Sequence, residues 1–380
     1  MQTRSTVLPP GIVHSQARVY ANQGDIYALE ANSGTLLQSY SIQGFGHPTA
    51  VNDILYINVS RHPDYTIQAL RSSGGAPLWS YKVKGRLSGA PIVAGGVVFI
   101  SITEGTIYAL QASDGKLLWQ YTIDLGPGVP SFLGPILSAS PTVAGEVVYI
   151  SPAVNSPLKP FVYALQAKDG TLLWKSQISD STSFPLIFAD GVIYISTHSN
   201  CSALHASDGS PIWQHEISDQ TRSSPVVLDG IVYISLSQFK HEVLSFESIQ
   251  VRHWYEAFLC ALRASDGSLL WQQQLGVATG ASNPTTPAAT HGVVCVGADD
   301  GYLYALRTAD GSPLWHYKTG GTLLSSPILV HDIVYVGSND GYVYALSADD
   351  GALLWQTFVS VAVTATAYSS MSLKRKNREK

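Results

Sequence analysis

Charge, methionine and cysteine are all scarce in this chain, and each scarcity excludes something. Only 13% of the 380 residues are charged, and the formal net charge is −5. Such a balance gives no field for holding nucleic acid or an anionic membrane. With two Met among 380 residues, the composition is not that of a helical bundle. The three cysteines, Cys201, Cys260 and Cys295, are odd in number and unpaired in spacing. They build no disulfide framework and no CxxC metal site. Cys260 and Cys295 fall in apolar, strand-like runs and read as small buried hydrophobes. No apolar run reaches the roughly 18 residues of a membrane-spanning helix. The opening MQTRSTVLPPGIV lacks the apolar core of a signal peptide. The chain therefore reads as soluble and unaddressed, and a domain cut from a longer exported protein would read the same way. HExxH, GxSxG, P-loop and EF-type motifs are all missing. The His residues show no metal-ligand spacing. His198 and Cys201 stand three apart in HSNC, too little for a zinc site. No metal is expected.

Glycine (33) and tyrosine (20) are abundant, which suits short strands joined by tight turns. Nearly the same thirteen residues recur along the chain: YALQASDGKLLWQ at 108–120, YALRTADGSPLWH at 304–316, YALSADDGALLWQ at 344–356. Anchored on the last motif position, the copies end at Gln38, Trp79, Trp119, Trp174, Trp213, Trp271, Trp315 and Trp355. The period is about 40 residues, the range of propeller blades.

Four strands can be read in the last copy: A at 325–330, B at 333–338, C at 342–347 and D at 353–358. Asp340-Gly341 and Asp350-Gly351 separate B from C and C from D, and Asp-Gly predicts two-residue type I′ hairpins. Four-stranded units at this period predict an all-β chain, an eight-bladed β-propeller of four-stranded antiparallel blades. Ring closure protects the strand edges that an open solenoid would expose. A Trp on the outer strand can pack on the next blade. Ala and Gly make room for it, so Ala345, Gly351 and Trp355 are expected to form one inter-blade contact. Copy one carries Gln38 in place of Trp, which predicts the loosest junction there unless a further strand covers it.

The pattern AxxxxxGxxxW, preceded by Tyr and followed by a new SP strand, resembles the PQQ-like β-propeller repeat with its tryptophan-docking motif. The resemblance covers about residues 12–358. It departs from the family at motif position 3, which is Glu30, Arg71, Gln111, Gln166, His205, Arg263, Arg307 or Ser347 where the family usually has Asp. Position 6 is mostly Asp (Asp114, Asp169, Asp208, Asp266, Asp310, Asp350) where the family usually has Thr. The resemblance implies a bacterial, extracytoplasmic or cell-surface protein. Its non-catalytic members include the lipoprotein of the outer-membrane β-barrel assembly machinery and sensor propellers joined to serine/threonine kinases. Its quinoprotein dehydrogenases bind PQQ over the ring centre and need a vicinal Cys-Cys pair, a Ca²⁺ site and a nearby Asp. No Cys-Cys occurs here; no cofactor is expected, and PQQ is possible but unsupported. Residues 1–368 are read as one propeller. Within it, 359–368 forms either a ninth, closing strand beside blade 1 or a frayed tail, and 369–380 is a solvated basic tail.

Alternating strand directions put the A–B and C–D turns on one face and the B–C and D–A connections on the other. The first set is uniformly short. The insertions fall in the second: 59–65, 124–138, 151–161 and, the largest, about Leu236 to Ala257. Long loops on one face of a rigid scaffold are the usual place for binding. The Leu236–Ala257 insert reads as a protruding hairpin carrying His241, Arg252, His253, Trp254 and Tyr255. With Phe132 and Phe161 from neighbouring insertions, these are the candidate binding residues, an aromatic-plus-Arg composition suited to recognition. The alternative is a mini-core in which Trp254 packs on its own hairpin. Glu242, Glu247 and Glu256 could hold an acid–base pair, but solvated charges are far commoner. The resulting expectation is a non-catalytic scaffold, a sensor or assembly module, that binds a protein, peptide or glycan. The alternative is a PQQ-dependent dehydrogenase-like quinoprotein.

Overall fold

The computed structural model describes residues 12–15, 18–22, 25–41, 48–61, 64–124, 137, 139–153, 159–217, 220–221, 223–245, 250–278, 284–323 and 325–359. Strands are the only regular elements among them, and they form eight antiparallel sheets in chain order. The blades span residues 12–40, 48–83, 87–122, 142–177, 187–216, 220–278, 288–318 and 328–358. The chain is an eight-bladed β-propeller.

In blade 8 the strands are Ile328–Val330, Ile333–Gly337, Tyr342–Ser347 and Leu353–Phe358. Strand A is shorter than its sequence suggests, because the Ser325 hydroxyl replaces the ladder. It donates to Gly337 O at 2.9 Å and accepts from Gly337 N at 2.9 Å. Pro327 has no N–H to offer a ladder. Strands B and C are buried on both faces, with Val334, Val336, Val343 and Ala345 fully covered. Strand D is outermost and leaves Leu353 and Leu354 exposed while burying Trp355. Each blade buries its faces only against neighbours, so the apolar clusters straddle junctions. One joins Phe99, Ala109 and Trp119 to Val148, Tyr163 and Leu165 of the next blade.

The expected Trp contact exists, with its parts divided differently. Within a blade, Trp355 stands in register beside Ala345. Its ring lies over a glycine of the following blade, Gly34, while Gly351 receives Trp315. Seven junctions repeat this. At each, the indole N–H donates across the junction to a backbone carbonyl at 2.8–3.1 Å: Trp79 to Ala112, Trp119 to Ala167, Trp174 to Ala206, Trp213 to Ala264, Trp271 to Thr308, Trp315 to Ala348, Trp355 to Ala31. Glycine is required beneath each ring on two counts. At Gly170, φ is +75°, and a Cβ would lie 2.7 Å from the Trp119 ring.

Trp355 on Ala31 and Gly34 closes the ring, supported by Tyr335 Oη donating to Ala31 O at 3.2 Å and Thr357 Oγ1 to Gly34 O at 2.7 Å. Blade 1 already has four strands of its own, from Ile12–Ser15 to Leu36–Tyr40. The closing strand expected at 359–368 lies, beyond Val359, outside the described residues, as do 369–380.

The hairpin reading of Asp-Gly needs correcting. Both central residues have positive φ at several A–B turns instead: Asn52 and Asp53 (48° and 61°), Asp229 and Gly230 (50° and 73°), His331 and Asp332 (47° and 62°). At C–D the connection is five residues long, and only glycine is left-handed there. The Asp there accepts from the backbone N two residues on, as Asp310 Oδ1 does from Ser312 N at 2.9 Å. That bond explains Asp at motif position 6. The Ser312 hydroxyl and N–H hold the Asp310 carboxyl below its usual range.

Candidate binding face

The two faces differ as the sequence suggests. A–B connections are two residues long and C–D connections five in every blade. B–C and D–A connections vary widely. The difference is largest in blade 6, where strands B, C and D run Ile231–Ser245, Gln250–Arg263 and Leu269–Ala278. A short fifth strand, Gln220–Thr221, pairs with strand B at its base. The sheet thus projects beyond the ring as an extended hairpin. Register places Phe239 opposite Tyr255, Lys240 opposite Trp254, His241 opposite His253 and Glu242 opposite Arg252.

Trp254 is half-buried, and its indole N–H donates to Glu256 Oε1 at 3.3 Å. Lys240 Nζ lies 3.9 Å from Glu256 Oε2. The Lys, Glu and Trp thus form one polar-aromatic strip on one hairpin face, and Glu256 is not simply a solvated charge. On the other face Tyr255 meets Phe239 edge to face, with centroids 5.2 Å apart and Phe239 48% exposed. Phe239 is a residue the sequence reading missed. Its signal was the pairing register, which becomes legible only once the hairpin tip is placed between 245 and 250.

The insert is also shorter than Leu236–Ala257. Leu236 packs with Tyr194, Cys201, Val232 and Cys260 in the blade core, and Ala257 is buried. The projecting part begins near Gln238 and ends near Glu256. Phe161 begins strand C of blade 4, on the same face of the ring, with Lys175 Nζ 5.4 Å from its ring centroid. Phe132 lies outside the described residues.

The three cysteines take part in no disulfide, and all are buried. Burial pushes the Cys201 thiol up to about 12 and raises that of Cys295 as well. His198 is exposed while Cys201 is fully covered, so the two do not form a site. Among the described residues, no group of three or more His, Cys, Asp or Glu is arranged to hold a metal. No helix among them is long and apolar enough to cross a membrane.

The family model described as outer membrane protein assembly factor BamB matches residues 22–156, 158–248 and 254–377. The chain belongs to this family. Over 128 residues it is 31% identical to the outer membrane protein assembly factor BamB of Moranella endobia, covering 32% of each chain. Over 126 residues it is 30% identical to the quinoprotein ethanol dehydrogenase of Pseudomonas aeruginosa, covering 30% of this chain and 19% of that one. The matched stretch is thus about a third or less of these relatives' length. Among solved structures, BamB from Moraxella catarrhalis superposes with a TM-score of 0.64 at 16% identity, covering 89% of this chain and 93% of that one. At that identity the likeness speaks for the fold alone. Relatives of both kinds, assembly factor and dehydrogenase, share the repeat.

Proposed function

We propose that this chain is a non-catalytic scaffold that captures a protein or peptide partner on its B–C/D–A face, with the blade 6 hairpin as the principal contact. The observation that carries this reading is the extension of three strands of one blade beyond a ring whose other face keeps uniformly short turns. A rigid base with one elaborated rim is how binding loops are usually mounted. The rim offers Phe239 and Tyr255 on one side and the Trp254 strip on the other, with Arg252 and His253 in the same strand. Aromatic and Arg side chains supply most of the affinity at protein interfaces. The assembly-factor relatives support the same reading, since their names place them in outer membrane protein assembly. Carried over to this chain, that role makes the partner a protein of an assembly process.

The ethanol dehydrogenase relative favours a second reading, a quinoprotein oxidising alcohols with PQQ. The residues present do not fit it. The dehydrogenases are expected to use adjacent cysteines, and here the cysteines at 201, 260 and 295 lie apart and buried.

A photo-crosslinking residue placed at Phe239 or Tyr255, compared with one at Leu118 or Leu354 on the outer strands, tests the first reading in the native host. A defined protein adduct from the hairpin positions alone is expected. Adducts from the outer strands alone would move the site elsewhere. Dye-linked alcohol oxidation after adding PQQ and Ca²⁺ would establish the second reading in its place.

A further inference from the structure

Seven of the eight junctions are clasped by uncharged groups, an indole N–H on a backbone carbonyl above a bare glycine. The junction between blades 1 and 2 is clasped through Ser72 instead. The Ser72 carbonyl accepts from Tyr40 Oη and from Arg18 Nη1 at 3.0 Å, and the Ser72 hydroxyl accepts from the same Arg18 nitrogen at 3.1 Å. That hydroxyl donates in turn to Asp53 Oδ1. Ser73 Oγ donates to Asp53 Oδ2 at 3.2 Å, and Ser72 N to Asp53 O at 2.9 Å. Every bond across this junction therefore meets at one residue, and an ionisable pair holds that residue in place.

The charges make this clasp respond to solution conditions. An ionised Asp53 can only accept, so it keeps the Ser72 proton on its own side and leaves a hydroxyl lone pair for Arg18. Arg18 and Asp53 stand 4.0 Å apart, with side chains 28% and 41% exposed. The screening length is about 10 Å in 0.1 M salt and about 3 Å in 1 M, so high salt screens this pair. An indole–carbonyl bond carries no net charge to screen. The other groups about Asp53 are Arg71 on its own blade and Tyr40 on blade 1, with Tyr20 behind Tyr40. Glu30, opposite Arg18 in register, is occupied by the Ser33 hydroxyl. The Ser72 hydroxyl holds the Asp53 carboxyl below its usual range, with Ser73, Arg18 and Arg71 adding to the shift and burial opposing it. The contribution of the carboxylate is thus complete above the unfolded-chain value of about 3.9, and it is lost as pH falls below that through the depressed folded value.

We propose that the ring opens first between blades 1 and 2, at a seam that Arg18 and Asp53 make sensitive to salt and acid. Opening parts Tyr20, Ile26, Ala28 and Tyr40 of blade 1 from Leu55 and Ile57 of blade 2. Blade 1 stays with blade 8, to which Trp355, Tyr335 and Thr357 bind it through Ala31 and Gly34. The seven Trp junctions hold under conditions that loosen the seam. This inference stands apart from partner capture, since the seam opens or stays shut whatever the blade 6 hairpin binds.

The test is hydrogen exchange read by mass spectrometry on the full chain, at neutral pH in about 0.1 M and about 1 M NaCl. Peptides from 18–40 and 48–75 should exchange at least about twofold faster in high salt, the factor that loss of an exposed ion pair implies. Peptides from 97–119 and 147–174, which bound a Trp junction, should keep their rates. Asp53→Asn retains an acceptor for the Ser72 hydroxyl and removes the charge. It should exchange faster at the seam in low salt and respond no further to high salt. At about pH 3, with rates corrected for the intrinsic pH dependence of exchange, the parent should open at the same peptides, and Asp53→Asn should show no selective change there. Arg18→Gln, read in the same salt series, covers the case in which Asp53→Asn fails to fold. Equal salt responses at the seam and at the Trp junction, earlier opening at another junction, or a salt response that persists in the variants would overturn the proposal.

Discussion

The junction between blades 3 and 4 and that between blades 1 and 2 carry out one task with different side chains. In the first, Trp119 donates to Ala167 O at 2.8 Å, packs on Phe99 with centroids 5.9 Å apart, and lies over Gly170. In the second, the Trp position holds Gln38, in register with Ala28 as Trp119 is with Ala109. The acceptor there is Ser72 O, which takes hydrogen bonds from Tyr40 Oη and from Arg18 Nη1 at 3.0 Å. Tyr40 sits two residues beyond Gln38, buried, with its ring 3.2 Å from where a Cβ on Gly75 would be. Asp53, on the A–B turn, accepts from the Ser72 hydroxyl and stands 4.0 Å from Arg18. The carbonyl and the left-handed glycine are thus kept, while the donor changes. A buried acceptor must be satisfied, and its identity as a backbone oxygen leaves the donor free to vary.

Removing the donor on each side gives the largest effects. Trp119→Ala takes away a nearly buried indole and its hydrogen bond, for a loss of roughly 3–5 kcal/mol. Tyr40→Phe removes only a hydroxyl from a carbonyl that Arg18 still serves, for about 0.5–1.5 kcal/mol. Denaturant midpoints of the two variants check this. Equal shifts would mean that the polar junction depends on one bond as heavily as the Trp junction depends on a whole ring.

The glycines should differ next. Gly115 and Gly75 have φ of +73° and +70°, so alanine at either carries similar left-handed strain, roughly 1–2 kcal/mol. At Gly115 the new Cβ would also stand 2.5 Å from the Trp79 ring, against 3.2 Å from Tyr40 at Gly75. Overpacking of that kind typically costs a further 1–3 kcal/mol or so. Gly115→Ala should therefore lose more stability than Gly75→Ala, measured in the same denaturant series.

The same contrast explains what could be read in advance. Blade number, strand count and face assignment follow from a Trp and a Gly that recur because each ring needs a bare backbone beneath it. Those constraints are local and show as spacing. Tyr40 was hidden because its role depends on the next blade, and because a Tyr stands two places after the Trp in other copies as well, at Tyr81, Tyr121 and Tyr317. The Asp-Gly turns were placed correctly and typed wrongly, since the Asp carboxylate serves a backbone N–H rather than permitting positive φ. The hairpin was legible from alternation. Its register was not, so Phe239 opposite Tyr255 and His241 opposite His253 emerged only with the fold.

Alkaline pH should separate the junctions more gently. Burial pushes the Tyr40 phenol up to about 12, with the nearby Tyr20 adding to the shift and Arg18 opposing it. Burial raises Tyr233 to about 12 as well. Below the unfolded-chain value of about 10 these groups are neutral in both states, and stability does not depend on them. As pH rises from there toward 12 the unfolded chain ionises first, so stability falls through that window. Tyr40→Phe should show a shallower decline than the parent above pH 10 in pH-dependent unfolding. An identical slope would show that Tyr40 ionises freely in the folded state.

The smallest effect should come from the residue that defines the exception. Gln38 is half-exposed, and its side-chain amide donates to the neighbouring Ser39 O at 3.1 Å. Gln38→Ala should shift stability by no more than about 0.5 kcal/mol, as surface changes usually do. Gln38→Trp restores the repeat in sequence but not in space, because Tyr40 already occupies the ground above Gly75. It should bring no gain in the parent chain. In a Tyr40→Ala background the space is open and Gly75 is already left-handed, so the same Trp should recover part of the lost stability. A double-mutant cycle on Gln38 and Tyr40 reads this coupling directly. Additive effects would show that Tyr40 and an introduced Trp do not compete, and that junction 1–2 differs from the others by more than its donor.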